Sequence, residues 1–482
     1  MFVTSTAKEQ QQAQTTNPWL ESALVYIDMW IEFHMRLSDQ PGCTIAIAQG
    51  QDVIHERSFG VADLDTGEKL TERHRFRVAS HSKTFTAVGI LKLREQGCLR
   101  LDDSAGSFVD DIHPSVAAVT LNELLTHGGG LSRDGEDAGF FSNQRPFLSA
   151  AELAAALKRP STIEAGQRPK YSNLGYGLLG LVIENITRES YGPWMMREII
   201  GPAGLHETTP DVGAGDDVPL ARGHTARLPL ANRRVIFGDQ ETFGLSPATG
   251  YVSTAADLAR FYAQLSLNAT SSILSTESRR DMTRPIRPDP DAPVARSFGF
   301  GVLCGEIGTW NHFGHLGRFP GFISRTVVLP AIDISVVVLT NAIDGPAPLW
   351  LDGVVHILRI FHEQGAPEAD AGEWTGRWWS LWGAMDLVAV GSVIKLFSPL
   401  VHPPFTGASD ISLIERDRGR VTKAPAAERF GEAVFRLRDR QGVVTSVRIG
   451  GQEFVSEAAI QSSLQPRQGR GRGPMRSSTV TG

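Results

Sequence analysis

An α/β domain followed by a smaller all-β domain is the fold class this sequence predicts. Three observations carry the prediction. Helix-spaced apolar runs fill the middle of residues 21–362, and β-branched runs lie at both ends of that region. One sheet must therefore be assembled from distant parts of the chain, with helices against it. From residue 373 the texture changes to short aromatic and β-branched runs separated by Gly and Asp-Arg-Gln-Gly turn signals, the pattern of a small barrel-like β-domain over 373–460.

The elements follow in order. Residues 1–20 read as a polar leader, and "NPWLESALVYIDMWIEFHMRL" predicts an opening helix with Asn17 as its cap. "CTIAIAQGQDVIHERSFGVADL" predicts a hairpin turning at Gln49–Asp52. Helical spacing returns from Ser80 to about Leu93, then in "VTLNELLTH", "SAAELAAALKR", "GYGLLGLVIENITRESYGPWMMREII" and "STAADLARFYAQLS". "FGFGVLC", "FISRTVVLP" and "ISVVVLTNA" read as strands, and "LDGVVHILRIFHEQ" closes the domain. Residues 363–372 form a linker candidate, and the Gly-, Ser- and Arg-rich residues 461–482 predict a disordered tail.

Composition limits the functions available. A chain of 482 residues, 41% hydrophobic and 21% charged, can bury a large core. Its formal charge of −6 lacks the basic field that nucleic acid requires. No run approaches the roughly 18–20 continuous apolar residues of a membrane span, and the start lacks a secretory pattern, so a cytoplasmic protein is expected. Cys43, Cys98 and Cys304 are too scattered for a disulfide scaffold or thiolate cage and read as core thiols.

The chemistry begins in "FRVASHSKTFTAVGILKL". A helix starting at Ser80 puts Ser80 and Lys83 on one face of its first turn, beside unpaired backbone N–H groups. Burial and the positive end of the helix dipole favour a neutral lysine, able to take the serine proton. A serine cap with an exposed lysine is the commoner meaning of the same spacing. Two later stretches alter that balance. "GQRPKYSNLGYGLLG" places Tyr171 and Asn173 in a loop before a helix, where a phenol and an amide can pass protons and hold a lysine. "HFGHLGRFPGF" places His315 and Gly317 ahead of a β-rich run, with the Arg318 N–H as a second oxyanion donor.

The three stretches, in this order, match the S-x-x-K, S-D-N and K-T-G set of serine penicillin-recognising enzymes. With Tyr in the second motif and His in the third, the sequence resembles the class C β-lactamase-like family, which includes D-aminopeptidases, DD-peptidases and carboxylesterases. "LLTHGGGL", "GYVSTAADLARF" and "GHLGRFPGF" extend the resemblance over residues 25–360. It implies a β-lactamase-like fold: an antiparallel sheet flanked by helices, an all-helical subdomain, and a cleft between them. It also implies an acyl-enzyme on Ser80, acid–base work shared by Lys83 and Tyr171, and assistance from His315. Asn173, Gly317 and Arg318 would contact substrate, and neither metal nor cofactor would be needed. The substrate would be a small molecule or short peptide, and a homo-oligomer is compatible with it.

Departures narrow that expectation. Leu316 stands where DD-peptidases carry a threonine that binds the substrate carboxylate, which disfavours penicillinase and carboxypeptidase activity. A peptidase or amidase of D-aminopeptidase type is expected, with a carboxylesterase or a non-catalytic sensor module as alternatives. "GYGLLG" also matches the dinucleotide pattern G-x-G-x-x-G, but it follows a loop containing Pro169 where that pattern needs a buried strand. The C-terminal β-domain resembles those appended to D-aminopeptidases. A loop around Trp378 and Trp379 would narrow the cleft, or the two rings would fill the barrel core.

Overall fold

The computed structural model describes residues 17–213, 218–227, 232–236, 238–425 and 427–464. Two compact units emerge: Asp28–His356, and Met1–Ile27 with Ile357–Gly482. The leader before Asn17 and the tail beyond Leu464 lie outside the described residues. No helix among the described residues is long and apolar enough to cross a membrane.

In the larger unit, an eight-stranded antiparallel sheet runs in the order Asp52–Gly60, Gly42–Gln49, Ile334–Thr340, Phe322–Leu329, Trp310–Phe319, Leu303–Ile307, Arg296–Phe298 and Arg287–Pro288. The N-terminal hairpin thus pairs with strands made nearly three hundred residues later, with Ile45 opposite Val338. The wholly buried strand Ile334–Thr340 explains its unbroken β-branched sequence, because both of its faces are covered. A sheet with flanking helices is the β-lactamase-like arrangement the sequence predicts.

The helix Ser82–Glu95 lies at the heart of this unit, with eleven of its residues buried. Its polar residues are all accommodated. Thr84 donates to the Gly301 carbonyl at 2.6 Å, Thr86 to the Pro247 carbonyl at 2.6 Å, and Phe85 stacks on Phe261 and Tyr251. Burial this complete explains the weak amphipathic pattern of a run that mixes Thr, Lys and Gly with apolar residues.

Local structure refines several expectations. Ser80 lies in a 3-10 turn, Ala79–His81, and the α-helix begins at Ser82. The long apolar run after Tyr171 forms the helices Asn173–Thr187 and Tyr191–Met195, with Arg188 between them at φ 60°, and continues as a π-helical turn over Met196–Ile200. "HFGHLGRF" lies inside the ten-residue strand Trp310–Phe319, ahead of the β-rich strand Phe322–Leu329, although Gly314 and Gly317 dilute its β signal. Of the cysteines, Cys43 and Cys304 are buried, whereas Cys98 is exposed and so is not a core thiol.

The smaller unit contains a closed eight-stranded barrel from Gly376–Ser380 to Gln452–Val455, shut by the pairing of Trp379 with Val455. Its interior is apolar, built from Leu387, Ile394, Ile411, Val447 and their neighbours. At one point Arg436 lies over the Trp374 ring at 4.7 Å and donates to the carbonyls of Glu373 and Arg416. Trp378 and Trp379 belong to the first strand and not to a loop, and Trp378 packs against the core. The exposed tip of that hairpin is Leu381–Trp382. Order extends into both flanking segments: Ala369–Gly372 is a short helix within the linker candidate, and Glu457–Leu464 is helical past residue 461.

Candidate active site

The turn that carries Ser80 is held from three directions. Ala79 adopts φ 51°, a left-handed conformation that an alanine accepts only under tertiary constraint. Ser82 Oγ supplies part of that constraint, donating to the Ala79 carbonyl and accepting from the Tyr251 N–H. His81 supplies another: Nδ1 lies 2.8 Å from the Val78 carbonyl and Nε2 2.9 Å from Thr326 Oγ1. Burial lowers its pKa to about 3, so the ring is neutral; Nδ1–H donates to the carbonyl and Nε2 accepts from the hydroxyl.

The third hold is Gly317. A Cβ at this position would sit 2.3 Å from the Val78 carbonyl oxygen and 2.3 Å from Ser324 Oγ. The strand Trp310–Phe319 therefore lies against the turn at backbone distance, and only glycine permits it.

Ser80 Oγ meets two groups. Tyr171 Oη donates to it at 2.7 Å, and Lys83 Nζ lies 3.2 Å away. Lys83 is fully buried, and its amine is also 2.7 Å from Asn173 Oδ1 and 2.7 Å from the Ala248 carbonyl. Desolvation depresses its pKa well below the ordinary lysine value; the Asp134 carboxylate opposes the shift and the Arg133 guanidinium adds to it. A neutral amine has two N–H bonds and one lone pair. In the neutral form its two N–H bonds can serve the two carbonyl oxygens and its lone pair can face the Ser80 hydroxyl. Burial pushes the Tyr171 phenol above its usual range, so it remains a proton donor, even though its hydrogen bond to Ser80 pulls the other way.

Asn173 opens the helix Asn173–Thr187, which is capped by Ser172 Oγ accepting from the Gly175 N–H at 2.9 Å. Its amide orientation is fixed, because Nδ2 donates to the Asp134 carboxylate, a group that can only accept. His315 occupies the same strand as Gly317. Its ring centroid is 5.9 Å from that of His81, and burial keeps it neutral. Among the described residues its hydrogen bonds run to the backbone of Leu316, not to Ser80, Lys83 or Tyr171. Leu316 is part-buried and the Arg318 side chain is exposed.

Sequence reasoning did not single out His127, Asp134 or Ala248. His127 stacks on Tyr171 at 4.2 Å between ring centroids, and its Nδ1 accepts from the Ser172 N–H at 3.2 Å. It thereby fixes the ring that carries the proton donor. The quoted "LLTHGGGL" contained this residue, but its left-handed backbone at φ 56° and its contact with Tyr171 are tertiary facts. Among the described residues no group of three or more His, Cys, Asp or Glu side chains is placed to hold a metal ion.

Over 190 residues the chain is 30% identical to Protein flp of Staphylococcus aureus (strain MW2), covering 38% of this chain and 37% of that protein. Over 171 residues it is 32% identical to Penicillin-binding protein 4* of Bacillus subtilis (strain 168), covering 34% of this chain and 37% of that one. The chain thus spans little more than a third of the length of these curated relatives. Among solved structures, the octameric penicillin-binding protein homologue from Pyrococcus abyssi superposes with a TM-score of 0.63 at 21% identity, covering 90% of this chain and 100% of that one. The D-amino acid amidase from Ochrobactrum anthropi SV3, in complex with D-phenylalanine, gives a TM-score of 0.59 at 24% identity over 70% and 99%. At these identities the likeness establishes the fold. Residues 30–349, well over half of the chain, match the family model for Beta-lactamase. The chain belongs to the Beta-lactamase family.

Proposed function

We propose that the protein hydrolyses an amide or peptide bond through an acyl-enzyme on Ser80. The observation that carries this reading is the convergence on Ser80 Oγ of a buried amine at 3.2 Å and a phenol at 2.7 Å. Lys83 takes the Ser80 proton as Oγ attacks the substrate carbonyl. Tyr171 then hands its proton to the departing nitrogen and is reprotonated from Lys83. Water hydrolyses the ester through the same groups in reverse.

The remaining residues are assigned by position. Asn173 orients Lys83 and contacts substrate. Gly317 lets the strand lie against the nucleophile turn, and the N–H groups of Ser80 and Arg318 receive the oxyanion. His315 lies on the same strand as Gly317, neutral and hydrogen-bonded to the backbone of Leu316.

A protonated phenol touching the nucleophile favours an amide over an ester, because a departing amine needs a proton and a good alkoxide or phenolate does not. The amidase among the structural neighbours points the same way, towards substrates of the D-aminoacyl amide class. Leu316 supplies no hydroxyl to a substrate carboxylate, which argues against penicillins and C-terminal dipeptides. A carboxylesterase is the alternative within the same mechanism. A panel of D- and L-aminoacyl amides, short peptides, esters and a cephalosporin, assayed with wild type and Ser80→Ala, tests the proposal. Turnover of amides that vanishes in Ser80→Ala is expected; no turnover of any member, or activity that survives the substitution, would refute it and return the sensor reading. Light scattering would test for a homo-oligomer, by analogy with the octameric neighbour.

A further inference from the structure

The loop that carries Arg133 and Asp134 is fastened to the catalytic groups by both backbone and side chains. The Arg133 carbonyl accepts the Asn173 N–H at 2.8 Å, at the start of the helix Asn173–Thr187. Asp134 Oδ1 accepts from Asn173 Nδ2, and Asp134 Oδ2 pairs with Arg133 Nε at 3.0 Å. The Asp134 side chain is 9% exposed and that of Arg133 is 64% exposed, with the guanidinium 6.0 Å from the Tyr171 ring.

We propose that Asp134 and Arg133 are positioning residues for the base: Asp134 fixes the Asn173 amide, which fixes the Lys83 amine against Ser80, and Arg133 balances Asp134 from the solvent side. The proposal rests on the reading of Lys83 as the base for Ser80. Without a carboxylate at position 134, nothing prevents the Asn173 amide from turning its N–H bonds towards Lys83. Donor would then face donor, and the lone pair would lose its fixed direction.

The pair also acts through charge, and its members act with opposite signs. Asp134 favours the ammonium form of Lys83, and Arg133 disfavours it. The other titratable groups facing Lys83 are Tyr171 and Tyr176, whose rings lie 4.7 and 5.6 Å from Nζ, and the buried histidines His81, His127 and His315. Burial leaves all five of these neutral, because it raises both phenols and lowers all three imidazoles. Asp134 and Arg133 are therefore the charged groups whose removal should move the base.

The sign follows. Lys83 must be neutral to accept the Ser80 proton, so reactivity rises with pH through its pKa. Asp134→Asn keeps the shape and removes the negative charge, which lowers that pKa. Arg133→Gln removes a positive charge and raises it.

The test is the pH dependence of the rate at which a fluorophosphonate probe labels Ser80, which requires no knowledge of the substrate. For Asp134→Asn the acid limb should move about one pH unit lower, while the plateau rate above that limb falls because the Asn173 amide is no longer held. For Arg133→Gln, whose charge is screened by solvent, it should move about half a unit higher, a roughly threefold loss. Opposite displacements support the proposal. Limbs that superimpose on wild type, or that move in one direction in both variants, overturn it, since a merely structural role would lower the rate without that antisymmetry. If wild type is not labelled at Ser80, or Ser80→Ala is labelled equally, it is the underlying reading of the base that has failed.

Discussion

Tyr171 Oη donates a 2.7 Å hydrogen bond to Ser80 Oγ, and its ring packs against His127 and the Lys83 amine. The ring packing and the hydroxyl are separable. Tyr171→Phe retains the first and loses the second. Amide hydrolysis should fall by about 10²- to 10⁴-fold, because the leaving nitrogen goes unprotonated. Hydrolysis of a p-nitrophenyl ester, whose leaving group needs no proton, should fall by no more than about tenfold. Equal losses on the two substrates, measured as kcat/KM, would contradict the role given to the phenol.

Gly317 tests whether the strand must touch the nucleophile turn. A methyl group there meets the Val78 carbonyl and Ser324 Oγ at 2.3 Å each; the hydroxyl can rotate away, but the carbonyl cannot withdraw without opening the turn. Gly317→Ala is expected to lower stability by about 1–3 kcal/mol. It should also reduce activity by roughly 10²-fold through displacement of Ser80. Thermal unfolding and ester turnover, measured together, check both parts, and wild-type turnover in this variant would rule out the close approach.

The buried histidines make the fold acid-sensitive. His81 titrates at about 3 in the folded protein, and burial also holds His127 and His315 well below the ordinary value. In the unfolded chain each titrates near 6.5. As pH falls below about 6.5, the unfolded state binds protons that the folded state refuses, so stability drops continuously towards pH 3. Urea midpoints between pH 7 and 4 should show this decline. His81→Gln should make the decline shallower by the share of one proton, whatever its effect at neutral pH; an unchanged slope would mean that His81 already accepts a proton in the folded state.

The legibility of this site in the sequence followed the range of its interactions. Ser80 and Lys83 are one turn apart, and Tyr171 and Asn173 are two residues apart, so their spacing reports geometry directly. Gly317 was visible as a glycine, but its purpose lies in a contact with Val78, more than two hundred residues earlier. Asp134 sits in "SRDGED", which has the composition of any solvated turn, and nothing local separates it from Asp137. Ala248 acts through a backbone carbonyl, which every residue possesses, so no side chain announces it. The strand Trp310–Phe319 is weakly marked in the sequence for a related reason. Its two glycines and two histidines serve close packing against the turn and the neighbouring strands, at the expense of the β-branched pattern by which strands are recognised.

The most direct test is peptide-mapping mass spectrometry of the protein quenched in acid during turnover of a slow ester or amide. The account predicts a mass increment equal to the acyl group on the peptide containing Ser80, absent in Ser80→Ala and strongly reduced in Lys83→Ala. Product formation in a protein that never carries the acyl group on that serine, or an adduct that accumulates equally without Lys83, would contradict it.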